Sequence, residues 1–142
     1  MSKTNHFGRP KGYAVCFRKE CPLAQSCLRQ LSADDPSEER FISVVNLSLV
    51  RGAAKQCPFY KSSEKVRVAY GIDHIFNDIP FSKHKQVFHS VKNYFGKSTY
   101  YRIANKRRPI WPNEQEYVRQ VFARNGISEP VEFGEYQDIY NW

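Results

Sequence analysis

The sequence predicts a mainly α protein with a small β element, and three observations lead there. Helical spacing of apolar residues recurs through the second half of the 142-residue chain. Only one short run, residues 41–46 (FISVVN), is rich enough in β-branched residues to read as a strand. All four cysteines, Cys16, Cys21, Cys27 and Cys57, fall within residues 1–61. The expected architecture is therefore a cysteine-clamped N-terminal module, residues 1–61, packed on a helix-turn-helix-like helical bundle, residues 62–142, as one integrated unit.

Each element has a local reason. Pro22 suits the first turn of a helix, where its missing N–H costs nothing, and Leu23, Cys27, Leu28 and Leu31 carry helical spacing over residues 22–31. Residues 33–40, with Asp34, Asp35, Pro36 and Ser37, read as a solvated loop before the strand at 41–46. Ser63 is placed to cap a helix whose apolar positions are Val66, Ala69, Ile72, Ile75 and Phe76, ending before Pro80. Ser82 caps a clearer helix to about Phe95, closed by Gly96 as a left-handed residue. A short helix from Thr99 to about Asn105, a basic loop at 106–110 (KRRPI) and a long helix at 112–124 complete the bundle. The tail, residues 127–142, is acidic and aromatic, and it reads as structural, autoinhibitory or a partner site.

A chain of this size has no room for a second full-sized core. Its hydrophobic content of 41%, with 15% aromatic, excludes wholesale disorder. The longest apolar run, residues 41–50, is broken by Ser43, Asn46 and Ser48 and falls short of the ~20 residues of a membrane helix. Residues 1–11 lack the apolar stretch of a secretory signal, so the expectation is cytoplasmic.

Three cysteines within twelve residues plus one distant cysteine can converge on a point. In a chain expected in a reducing compartment, that pattern favours a four-thiolate metal site, with zinc preferred and a [4Fe–4S] cluster as the alternative. Buried thiols packing as small hydrophobes and disulfides are the other readings. Four protein ligands leave no open coordination position, so the role is structural.

The net charge of +8 is localised. Residues 82–125 hold ten basic and two acidic side chains, and the remainder holds twelve of each. This is also where helix, glycine, short helix, basic loop and long helix follow one another, the layout of a helix-turn-helix. From Phe95 to Ile127 (FGKSTYYRIANKRRPIWPNEQEYVRQVFARNGI) the chain resembles the repressor-type helix-turn-helix of small phage and bacterial regulators. Two departures are the bulky Tyr100 and Tyr101, and Lys106 where the pattern commonly carries Gly. The resemblance implies duplex DNA as partner, with Lys97, Ser98, Thr99, Tyr100 and Arg102 at or near the groove. Arg102 would contact a base, Lys106, Arg107 and Arg108 would follow phosphates, and Ile103, Val118 and Val121 would be core. The implied role is a transcriptional or mobile-element regulator. RNA is the lesser nucleic-acid expectation, through stacking on Tyr100, Tyr101 and Trp111. A protein–protein interaction module is the competing class.

His6, His74, His84 and His89 stand at no spacing that pairs them for acid–base chemistry, and no nucleotide-binding, nucleophile-elbow or zincin motif appears, so no enzymatic activity is expected. Taken end to end, YAVCF, CPLAQSCLR, CPFY, VAYGI, YYR and PNEQ, with the closing Tyr140 and Trp142, resemble a family of short uncharacterised cysteine-containing proteins of gut anaerobic bacteria. That resemblance implies one integrated domain and supplies no activity.

Overall fold

The computed structural model describes residues 7–50 and 57–142. His6 lies outside them. Among the described residues there are four helices, α1 (Leu28–Leu31), α2 (Phe81–Phe95), α3 (Lys97–Ala104) and α4 (Pro112–Arg124), and two strands, β1 (Lys65–Tyr70) and β2 (Glu135–Tyr140). Two 3-10 turns, Leu47–Leu49 and Asp73–Phe76, complete the regular structure. No described helix is long and apolar enough to cross a membrane. The backbone divides into two units, one reaching Lys65 and including Tyr140–Trp142, the other Val66–Ile139.

The second unit is built on apolar packing. Val87 and Val91 of α2, Ile103 of α3, and Val118, Val121 and Phe122 of α4 join Ile72, Ile75, Phe76 and Ile110 in one buried cluster. Ile103, Val118 and Val121, expected as core, are buried, and Tyr100 of α3 joins them against expectation. Pro80, not Ser82, is the N-cap of α2, and its carbonyl accepts from Lys83 N at 2.8 Å. Gly96 ends α2 with φ +80° and ψ 155°, outside the left-handed helical well but still a conformation that needs glycine. The junction from α2 to α3 is this one residue, tighter than the roughly three- to four-residue turn of a helix-turn-helix.

One expectation here is corrected. The helix predicted from Ser63 is instead strand β1 followed by a 3-10 turn. Val66, Val68 and Tyr70 alternate with Arg67 and Ala69, and that period of two prevails because β1 finds partners on both sides. It pairs antiparallel with β2, while Ala69 and Ile110 exchange backbone hydrogen bonds of 3.0 and 2.8 Å. Gly71, at φ +85°, breaks any helix there. The tail, for which a structural role is one of three readings, supplies β2 and the buried Val131 and Phe133.

The first unit is held by single pairings and side-chain clamps. The strand predicted at 41–46 is one parallel bridge, Val15 to Val44, with Val15 N to Ser43 O at 3.0 Å and Val45 N to Val15 O at 2.8 Å. The helix predicted over 22–31 survives only as α1, since Cys27 is extended (φ −96°, ψ 119°) and bridged to Ser62. A residue so paired cannot also carry a helix through. The buried Asp35 carboxylate accepts from Phe7 N and Arg9 N and so fixes the loop that precedes the bridge. Tyr13 packs edge-on against Trp142 at 4.9 Å.

Candidate functional site

Two sites emerge, one in each unit. In the first, Cys21 and Cys57 each open a turn of the same make, Cys-Pro-x-x, in which the cysteine carbonyl accepts the amide three residues on. Ala24 N donates to Cys21 O and Tyr60 N to Cys57 O, both at 3.1 Å. Proline in second place presets φ for that turn, so Pro22 and Pro58 hold the two cysteines by covalent geometry. Cys27 is fixed at the N-cap of α1, and Cys16 donates its amide to Arg29 O at 3.1 Å.

These four cysteines, drawn from three separate stretches of chain, line one cavity of about 20 Å³ with Val45 and Phe59. All are free thiols. As placed, no three His, Cys, Asp or Glu side chains among the described residues stand so as to hold a metal ion. The cysteines share a wall without yet closing on a common point.

Two further residues on that wall, Arg29 and Gln30, are not marked by any pattern in the sequence. Arg29 donates Nε to Phe59 O at 2.9 Å and Nη1 to Ala14 O at 2.7 Å, and lies 4.6 Å from the centre of the Tyr13 ring. It thus ties two cysteine-bearing stretches together. Burial pushes the Tyr13 phenol above its ordinary pKa, with Arg29 opposing and Cys27 adding to the effect. Gln30 Nε2 bonds both Arg18 O and Cys16 Sγ, the latter at 3.8 Å. Their position two and three residues after Cys27 is the only sequence signal for these roles.

The second site is the outer side of α3 and the loop beyond it. Lys97, Ser98, Tyr101 and Arg102 of α3, with Asn105 after it, are exposed, and their spacing places them on one side of the helix. Tyr100 and Ile103 turn inward. Tyr100 is therefore corrected: at 3% exposed it is a core residue, unavailable to a groove or a base. Its phenol is pushed up to about 12 by burial, then by the neighbouring Asp73 carboxylate. Thr99 is half-buried, whereas Tyr101 is 47% exposed, with Lys92 Nζ 5.2 Å from its ring centre. Trp111 is half-buried.

The loop after α3 closes in a Schellman turn. Lys106 N donates to Ile103 O at 3.0 Å and Arg107 N to Arg102 O at 2.8 Å. Lys106 sits at φ +58°, the only described non-glycine residue with positive φ. The same motif ends α4, where Gly126 takes the equivalent place at φ +74°. So the position where the repressor pattern carries Gly has the backbone that favours Gly, with lysine in it. Lys106 and Arg107 are exposed. Arg108 is not free: its guanidinium meets Glu114 at 2.8 and 3.1 Å, and Glu114 also accepts from Trp111 N at 2.8 Å to cap α4. That pair already engages the guanidinium expected to follow phosphates.

Of the described histidines, His74 Nε2 lies 2.7 Å from Glu132 O, and His84 stacks on Phe88. His89 meets Phe88 edge-on.

Comparison with curated proteins and with solved structures gives no match. A family model does match, over residues 1–142, and its description is a family of unknown function, DUF6078. The chain therefore belongs to the DUF6078 family.

Proposed function

We propose that this protein binds duplex DNA through the outer side of α3 and the loop that follows, as a regulator of transcription or of a mobile element. The observation that carries the reading is the exposed row Lys97, Ser98, Tyr101, Arg102 and Asn105, continued by Lys106 and Arg107, in the segment that holds the chain's excess of eight positive charges. Such a row offers point charges for phosphates and a forked guanidinium for a guanine edge. The left-handed turn at Lys106 supports the likeness to the repressor motif, and the one-residue junction at Gly96 departs from it. In this reading the cysteine unit is a structural metal site.

The test is a titration of labelled duplex, single-stranded DNA and RNA at two salt concentrations. Duplex is bound most tightly, and Arg107→Glu flattens the salt dependence by about one ion for each phosphate no longer neutralised. Absence of binding to all three at low salt overturns the proposal, and a preference for single strands transfers the role to the exposed Tyr101. A protein partner is the second reading, favoured by the exposed apolar run of Phe41, Val44, Leu47 and Leu49.

A further inference from the structure

We infer that Cys16, Cys21, Cys27 and Cys57 bind a single thiophilic divalent ion, zinc, in tetrahedral geometry, and that Gln30 is a positioning residue for Cys16. The inference rests on the four-cysteine reading and is independent of nucleic-acid binding.

As placed, the four cysteines line a cavity of about 20 Å³, room for roughly one water-sized sphere, which matches the scale of a single ion, and analysis for iron and acid-labile sulfide separates that ion from a cluster. Zinc–thiolate bonds are about 2.3 Å long, so binding draws four side chains inward from the wall they already share. The two Cys-Pro turns keep the backbone of Cys21 and Cys57 in place while the side chains rotate.

Charge and hydrogen bonding fit the same centre. Four thiols lose four protons to solvent on binding, and four thiolates around a divalent ion carry a net charge of −2. The Arg29 guanidinium on the cavity wall offsets part of it. A thiolate accepts hydrogen bonds, and Gln30 Nε2 already reaches Cys16 Sγ while anchored on Arg18 O, which sets the direction of that ligand.

The test uses the full chain, reduced and metal-free, with Co²⁺ alone as the probe. One equivalent saturates the protein and gives thiolate-to-cobalt charge-transfer bands and the visible bands of tetrahedral cobalt, and one equivalent of Zn²⁺ bleaches them. No such bands, or bands of full intensity in both Cys16→Ser and Cys57→Ser, overturn the site. Iron and acid-labile sulfide in equal amounts after anaerobic purification overturn the single ion. Because serine variants are open to loss of fold, Cys21→His is read beside them: it retains cobalt with a spectrum of fewer sulfur ligands, and an unchanged spectrum removes Cys21 from the set. Gln30→Leu weakens cobalt binding about tenfold and shifts the charge-transfer band. If neither changes, the role given to Gln30 falls. Duplex binding is scored separately, and its loss leaves this inference standing.

Discussion

Each of the two units is held together internally by different physics. Between Val66 and Ile139 the side chains of three helices, a strand and several loop residues meet in one continuous apolar cluster, and the backbone follows what that cluster needs. Between Phe7 and Lys65 the described chain has one four-residue helix, single bridges and polar clamps such as Arg29 and Asp35. It leaves Phe41 90% exposed and Leu49 61% exposed. The difference teaches where each unit's stability resides, in shape complementarity for one and in a few directed contacts for the other.

Removing the zinc proposed for the cysteine site is the strongest way to break that comparison. A chelator should abolish amide-exchange protection around Val15, Cys27 and Leu28, while α2, α3 and α4 keep theirs. Structural zinc in small modules is worth on the order of 10 kcal/mol. Equal loss in both units would show that the division is wrong. Next comes the core: Ile103→Ala, at a fully buried position, should cost about 2–5 kcal/mol in denaturant unfolding. Phe41→Ala, in contrast, should stay within about 0.5 kcal/mol. Arg29→Met leaves the carbonyls of Ala14 and Phe59 without their guanidinium, at about 1–3 kcal/mol for each one that stays buried, and lowers the melting of the first unit alone.

How much of this is legible in the sequence differs between the units in the same way. The inner faces of α2 and α4 can be read from their apolar period because packing decides them, and Val87, Val91, Val118 and Val121 repeat at helical intervals. β1 escapes such a reading because the four apolar residues among its six, Val66, Val68, Ala69 and Tyr70, fit two periods, and the choice is made by β2, about 65 residues away. The cysteine cluster is legible as a set, while Arg29 and Gln30 are not. Their roles depend on carbonyls and a sulfur brought from Ala14, Cys16, Arg18 and Phe59, which no local pattern announces. On α3 the exposed row follows from the sequence, but Tyr100 lies on the opposite side from that expected, and the charge of Arg108 is already used by Glu114.

Two smaller effects sharpen the picture within the second unit. Lys106→Gly relieves a left-handed lysine and should raise stability by about 1 kcal/mol, read as a shift in the unfolding midpoint, while weakening duplex binding. A single change should thus move stability and the proposed duplex binding in opposite directions. Tyr100 has no effect at neutral pH. Its folded pKa lies above its ordinary value of 10.0, at about 12, so the unfolded chain ionises first. Stability is full below pH 10 and falls as pH rises toward 12. Tyr100→Phe should remove that part of the alkaline loss in a pH series of unfolding curves.

The pairing of β1 with β2 also bears on how the chain is made. Synthesis delivers β1 first, then α2, α3 and α4, and only afterwards residues 135–140. A nascent chain stopped before Glu135 has its helices but lacks β2, so one edge of β1 is left bare. Bare edges recruit other strands, including those of neighbouring nascent chains. A chain truncated before Glu135 should therefore give a lower soluble yield than the full chain.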